Sequence, residues 1–298
     1  MSDPHLLIFG MNGQLARELR ERAPVAGWRV TTLGSDRADF CNTDATLAAM
    51  REIGPVDAVI NASAYTAVDL AETEADTAHR VNAITPGALA ELCAQSGTPF
   101  IQISTDYVFS GDKSGAYVET DKTGPRSVYG RTKLAGETAV AASGTPHAIL
   151  RTAWVYAPHG KNFVRTMLRL AQDRDSLSVV ADQRGCPTHA GDLAEGALRA
   201  AAGLLDDPDK SGVYHFAGSG ETSWAEFAEA VFDLAEPHTG RRPTVTHIAS
   251  VDYPTPAPRP ANSVLNCDRF AETFGYRAPA WRASLAGVIA ALCSGTQA

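Results

Sequence analysis

Along the first half of the chain, short apolar runs alternate with longer segments whose apolar residues recur at helical spacing. Leu6-Leu7-Ile8-Phe9 reads as a buried strand, followed at once by a glycine-bearing turn and a helix through Leu19. The same alternation predicts strands at Trp28–Leu33, Val56–Asn61, Phe100–Ser104 and Ala148–Arg151, with helices at Ala45–Ile53, Asp76–Ser96 and Ser127–Ala142. Strands that are apolar almost throughout belong to a parallel sheet covered on both faces. Right-handed crossovers then give an α/β chain with a doubly wound parallel-sheet Rossmann fold, whose ligand crevice lies at the strands' carboxyl ends. Beyond about Ala157 the pattern turns irregular and richer in Pro and Gly, which predicts a smaller C-terminal substrate domain. The expected division is a dinucleotide-binding domain over 1–156, rejoined by about 190–217, and a substrate domain from 157–189 and 218–298. Within the latter, Pro254, Pro256, Pro258 and Pro260 alternate in a stiff, extended loop that contains no P-x-x-P.

The 298 residues are 44% hydrophobic and 20% charged, ordinary for a folded domain, which excludes disorder and coiled coil. A net charge of −8 argues against a nucleic-acid or membrane-surface partner, while leaving room for a local arginine cluster around one anionic ligand. Cys41, Cys93, Cys186, Cys267 and Cys293 are odd in number and far apart, with no C-x-x-C and no H-E-x-x-H, so no disulfide framework and no metal site are expected. The start at Met1–His5 does not read as a signal peptide, and the apolar run Ala283–Cys293 is too short to span a bilayer. The expected location is the cytoplasm.

Gly10-Met11-Asn12-Gly13-Gln14-Leu15-Ala16 follows the first strand and opens the first helix. Gly10 permits the tight turn, Gly13 lets backbone N–H groups approach a pyrophosphate, and Ala16 stands where this fingerprint tolerates a methyl. The second strand ends in Leu33-Gly34-Ser35-Asp36-Arg37. Ser35 and Arg37 suit a 2′-phosphate and Asp36 opposes it, so the pattern favours NADPH and leaves NADH open. Asp39 and Phe40 address the adenine, or else are a surface acid beside a core ring. The small residues of Asn61-Ala62-Ser63-Ala64-Tyr65 let a flat cofactor lie against the backbone, or simply pack tightly.

Tyr129 and Lys133 stand at i and i+4, on one helical face. A reductase needs a proton donor for the alkoxide formed when hydride reaches a carbonyl. Free Tyr titrates near ~10, and a neighbouring ammonium should lower that value. Chance alone supplies roughly 0.13 such pairs in a chain of this composition, so the pair is informative only with its surroundings. Ser104-Thr105-Asp106-Tyr107 ends the preceding strand in the same half, where the Thr105 hydroxyl either bonds a substrate carbonyl or caps the turn.

At these residues the chain resembles the extended short-chain dehydrogenase/reductase superfamily and, within it, the dTDP-4-dehydrorhamnose reductase family. The blocks that carry the likeness are Asn61–Asp69, Ser104–Phe109, Val128–Glu137, Leu150–Tyr156, Asp182–Thr188 and Arg259–Ser263. The resemblance implies Tyr129 as proton donor aided by Thr105 and Lys133, and a cofactor lined by Ala64, Tyr65 and Thr66. It also implies a dTDP-sugar substrate touched by Thr105, Asp106 and Trp154, with thymine stacking on Trp154 set against a plain core role. Arg259, in the proline loop, suits a diphosphate, or is a solvated surface cation. Some family members bridge a homodimer with magnesium through glutamates. Glu18 matches one such position, but Gly191 falls at or next to another and the tail Ala290–Ala298 has no acid, which argues against that metal and leaves a homodimer open. The implied reaction is reduction of the C4 ketone of dTDP-4-dehydro-6-deoxy-L-mannose. Rival readings are the C4-epimeric 6-deoxytalose product, a non-catalytic regulatory subunit, and a dehydratase, which needs an Asp-Glu pair where this chain has Asp106-Tyr107.

Overall fold

A computed structural model describes residues 3–294. Met1 and Ser2, from the start read as lacking a signal peptide, and residues 295–298 of the acid-free tail lie outside the described residues. The first half runs β1 (His5–Phe9), α1 (Gln14–Val25), β2 (Arg29–Leu33), α2 (Thr43–Ile53), β3 (Ala58–Asn61), α3 (Ala75–His79), α4 (Thr85–Ala94), β4 (Phe100–Thr105), α5 (Val128–Ala142) and β5 (His147–Thr152). There follow β6 (Val155–Tyr156), α6 (Phe163–Leu170), β7 (Ser176–Val180), β8 (Arg184–Gly185), β9 (Thr188–His189), α7 (Ala190–Asp206) and β10 (Gly212–His215). The chain closes with β11 (Thr222–Ser223), α8 (Trp224–Thr239), β12 (Thr244–Ile248), α9 (Asp268–Phe274) and α10 (Trp281–Cys293).

Six strands form one sheet in the order β10-β5-β4-β3-β1-β2, every pairing parallel. Leu6, Leu7, Ile8 and Phe9 have no solvent exposure, because β1 sits inside the sheet and both its faces are covered by helices. Strand order reverses between β1 and β3, and the register sets Phe9 beside Asn61 and Thr105 beside Thr152. The carboxyl ends therefore open on one edge, with the switch point where the Gly10 and Ala62 turns emerge.

The later residues are more regular than their composition predicts. α7 and α8 run 17 and 16 residues, the longest helices described. α7 packs on α1 and β10 pairs with β5, so 190–215 lies against the large sheet. Most of α7 is buried, its Ala, Gly and Leu side chains allowing close packing on α1 and the sheet. A second core of aromatic and aliphatic side chains joins α6, α8 and α10. The helix expected at Asp76–Ser96 is instead α3 and α4 joined by a π-helical turn, Arg80–Ile84. No helix among the described residues is long and apolar enough to cross a membrane.

Candidate active site

Each wall of the crevice is set by a local rule. Gly10 sits at φ +121°, a conformation side chains rarely adopt, and a Cβ there would lie 3.3 Å from that of Ala16. Gly13 is the N-cap of α1 and offers no side-chain cap. A Cβ at Gly13 would meet nothing within 4 Å, so the first N–H groups of that helix stay open to an anion. Opposite, Asn61 fixes the turn after β3: its amide donates to Gln102 (2.9 Å) and its Oδ1 accepts from the Ser63 N–H (3.0 Å).

Two cavities share Asn12, Gly13 and Ala62 to Ala64, and so form one crevice. The first, about 330 Å³, is also lined by Gly10, Ser35, Asp39, Phe40 and Val81. Phe40 serves both readings, since it lines this cavity and packs edge-on against Phe9 at 5.5 Å. Ser35 lines it; Asp36, turned back toward Gly34, and Arg37, 3.9 Å from Glu52, do not. The second cavity, about 500 Å³, collects Gln14, Leu15, Thr66, Thr105, Asp106, Tyr129, Lys133 and Trp154. Gln14 also staples the wall, accepting from the Asn162 amide at 2.9 Å.

Tyr129 lies in the first turn of α5, which Ser127 caps by accepting from the Gly130 N–H. A Cβ at Gly130 would meet the Tyr107 carbonyl, and one at Gly136 the Asn82 carbonyl, so α5 docks where only glycine fits. Lys133 is buried and donates from Nζ to the Ile103 carbonyl at 2.6 Å. Burial pushes its ammonium down to about 8, against the upward pull of Glu137. That acid is locked to Arg151 by two nitrogens, Nη2 at 2.7 Å, and accepts from Ser104.

From helical spacing alone, Lys133 is expected to acidify Tyr129. The phenol instead stands above its ordinary value: burial is the largest cause, with the facing Thr105 hydroxyl opposing the rise and Asp106 and Tyr107 adding to it. A phenol held neutral suits proton donation rather than abstraction. Thr105 donates to Asp106 Oδ1 (2.9 Å) and accepts from the Tyr107 N–H (3.2 Å), so it also caps its turn. Asp106 Oδ2 has no hydrogen-bond partner, the nearby Ser263 hydroxyl being given to the Arg184 carbonyl. Burial raises Asp106 to about 6. Thr152, one strand over, lines the same cavity, and its buried hydroxyl is likewise unpartnered.

Trp154 has φ 49°, a left-handed conformation that costs a bulky residue about 1–3 kcal/mol. Its ring stacks on Trp224 at 3.6 Å and 7°, and a Cβ at Gly185 would come within 2.5 Å of it. One face of the indole is thus already covered by protein.

Two expected residues stand elsewhere. Tyr65 lines neither cavity: Asn82 holds its backbone at both N–H and carbonyl, and its hydroxyl donates to Glu74 at 2.8 Å. Arg259 lines neither cavity either, its Nη2 donating to Asp69 at 2.8 Å and its Nη1 to the Tyr107 hydroxyl at 3.4 Å. Asn82, Trp224 and Asp69 escape the sequence reading; each acts on a residue distant in the chain, and only Asp69 falls within a block that carries the family likeness. Glu18 is buried against Arg22, 3.1 Å away, and Gly191 abuts that same arginine. Among the described residues no group of three His, Cys, Asp or Glu is placed to hold a metal ion.

The family model described as RmlD substrate binding domain matches residues 4–294. A dTDP-4-dehydrorhamnose reductase from Sinorhizobium fredii is 46% identical over 289 residues, 96% of this chain and 97% of the relative. Among solved structures, a dTDP-4-dehydrorhamnose reductase from Clostridium acetobutylicum superposes with a TM-score of 0.89 at 38% identity, covering 97% of this chain and 99% of that one. Another from Bacillus anthracis, in complex with NADP, gives 0.88 at 32% identity with the same coverage. A match of that extent and identity settles the kinship, and the chain belongs to the dTDP-4-dehydrorhamnose reductase family.

Proposed function

We propose that this protein reduces the C4 ketone of dTDP-4-dehydro-6-deoxy-L-mannose (dTDP-4-dehydrorhamnose) to dTDP-L-rhamnose, with NADPH as the favoured hydride donor, NADH as the alternative, and Tyr129 as the proton donor. Relatives named for this reduction support the substrate class, and the relative solved with NADP supports the cofactor class. The reading rests most on one observation: Tyr129, Lys133 and Thr105 line the cavity that is continuous with the glycine turn of β1.

The residues present fit a dinucleotide. Gly10 and the uncapped start of α1 would receive the pyrophosphate, Asp39 and Phe40 would flank the adenosine, and Ala62 to Ala64 present no bulky side chain. When bound, the reduced nicotinamide supplies hydride to the ketone carbon. Tyr129 gives its proton to the ketone oxygen as negative charge develops there. Thr105, whose proton points to Asp106 at rest, turns that proton to the oxygen or to the phenolate left behind. Lys133 keeps one N–H on Ile103 and has two to offer the ribose and the phenolate. The Trp154–Trp224 stack walls the sugar side, and the C-terminal residues would hold the nucleotide diphosphate.

The test is turnover of the ketosugar with NADPH and NADH separately, the product identified by NMR. Stoichiometric cofactor oxidation and a rhamnose product are expected. A 6-deoxytalose product would overturn the stereochemical assignment, and no oxidation by a folded chain would overturn the reading itself.

A further inference from the structure

The proline loop 254–260 is fastened to the Rossmann half beside Tyr107, a residue that lines the catalytic cavity. Alternating prolines leave only Thr255, Ala257 and Arg259 with backbone N–H groups there. At its far end the loop is anchored by packing, since a Cβ at Gly111 would fall 2.6 Å from Pro260, and by the Asn262 N–H donating to the Gly111 carbonyl at 3.1 Å. Its middle is held at two points by one side chain, with the Tyr107 hydroxyl accepting from Arg259 beside it. Asp69, in the loop after β3, accepts from the Ala257 N–H with Oδ1 (3.1 Å) and from Arg259 Nη2 with Oδ2 (2.8 Å). Both bonds join segments far apart in the chain.

We infer that Asp69 is a positioning residue: it ties the proline strap to the Rossmann half and holds the Arg259 guanidinium ready for the diphosphate of the nucleotide sugar. The inference rests on the functional reading above. Arg259 stands beside the Tyr107 ring, its Cζ 5.9 Å from the centroid, and Tyr107 lines the catalytic cavity. Tyr107 in turn meets Tyr129 edge-on at 5.5 Å. A guanidinium has five donors in a fixed fork; Asp69 and Tyr107 engage two, and the others remain for an anion.

A carboxylate beside an anion-binding arginine could instead compete with the anion. Exposure decides between the two effects. The Asp69 side chain is 42% exposed, so water and salt screen its repulsion of a diphosphate. Ordering a long arginine and a loop, by contrast, costs free energy at every binding event unless it is done beforehand. Pre-ordering therefore outweighs the screened repulsion, and removing Asp69 should weaken binding.

The probe is dTDP, measured as a competitive inhibitor and by calorimetry, with dTMP as the comparison. Asp69→Ala should weaken dTDP about tenfold and raise the KM of the nucleotide sugar in parallel, leaving kcat and cofactor affinity within about twofold. Asp69→Glu should recover most of the loss, and dTMP should change less than dTDP. Arg259→Ala should lose at least as much, and adding Asp69→Ala to it should cost little more, because the two act as one unit. Unchanged or tighter dTDP binding by Asp69→Ala, or full additivity in the double variant, would overturn the inference. A wild-type chain indifferent to dTDP would instead overturn the functional reading, and the inference with it.

Discussion

The two arms of the crevice are made of different material. The arm proposed to take the cofactor is built largely from backbone: Gly10 at φ +121°, the uncapped N-terminus of α1, and Ala62 to Ala64. The arm proposed to take the sugar draws on side chains that meet only in the folded chain: Trp154, which lines the crevice and stacks on Trp224, and Arg259, which stands outside that lining and is held by Asp69. Backbone recognition needs absence of bulk at a few consecutive positions, so it tolerates little substitution and reads any dinucleotide. Side-chain recognition is assembled from distant segments, so it is free to diverge and carries selectivity. Tyr129 stands where the arms join. Tyr129→Phe should lower kcat by about 10²–10⁴-fold while cofactor and dTDP affinities stay near wild type, as rapid kinetics and calorimetry would show. Loss of affinity on either side would mean that the phenol belongs to one arm and not to the junction.

Asp106 sharpens the contrast through pH. Its folded value of about 6 exceeds the ordinary 3.8, because burial penalises the charged form. The native chain therefore binds that proton more tightly than the unfolded chain. The resulting destabilisation is fully present above about pH 6 and fades as pH falls through 6 toward 3.8. Asp106→Asn should raise stability at pH 7.5 by up to about 3 kcal/mol, with the gain shrinking by pH 4.5, in urea unfolding at both values. A gain that does not depend on pH would show that packing, and not ionisation, sets the difference. Turnover by the same variant should fall, since the carboxylate that orients Thr105 is gone.

The arms also differ in how far the sequence discloses them. The β1 turn and the Tyr129/Lys133 pair are local patterns: a strand, two glycines and one helical turn fix their geometry before tertiary structure forms. Trp224 and Asp69 carry no such local sign, since what they contact lies 70 and 190 positions away. Tyr65 falls outside the crevice because the run of small residues that lines it stops one position earlier, and Asn82 and Glu74 turn the ring aside. The π turn that presents Asn82 adds one residue to a helical repeat, which hydrophobic spacing over Asp76–Ser96 does not register. The effect on Tyr129 departs from expectation for a different reason. Its helix position reveals a cationic residue one turn on, whereas the burial that raises the phenol is a property of the assembled cavity.

One substitution in each arm tests the division itself. Gly10→Ala forces a side chain into a left-handed turn at a cost of roughly 1–3 kcal/mol, and should weaken cofactor binding about tenfold with dTDP binding intact. Trp224→Ala removes the ring under Trp154, a stack worth about 0.5–1.5 kcal/mol beyond buried area, and should show the reverse pattern in KM. If both changes shifted both affinities equally, the crevice would be one cooperative unit.

The smallest expected effect concerns Arg37, a side chain that the proposed cofactor arm would use to choose between coenzymes. Arg37 is half-exposed, 3.9 Å from an exposed Glu52, so the pair is screened and Arg37→Ala should move stability by less than about 0.5 kcal/mol. Its expected effect is on selectivity. Ser35 already lines the adenosine cavity, while Arg37 stands on the same turn with only that weak tie to break before its guanidinium can meet a 2′-phosphate. The KM for NADPH should therefore rise by about three- to tenfold in Arg37→Ala, with the KM for NADH unchanged. Equal loss for both coenzymes would assign Arg37 to the general field of the crevice and leave the discrimination to Ser35 and Asp36.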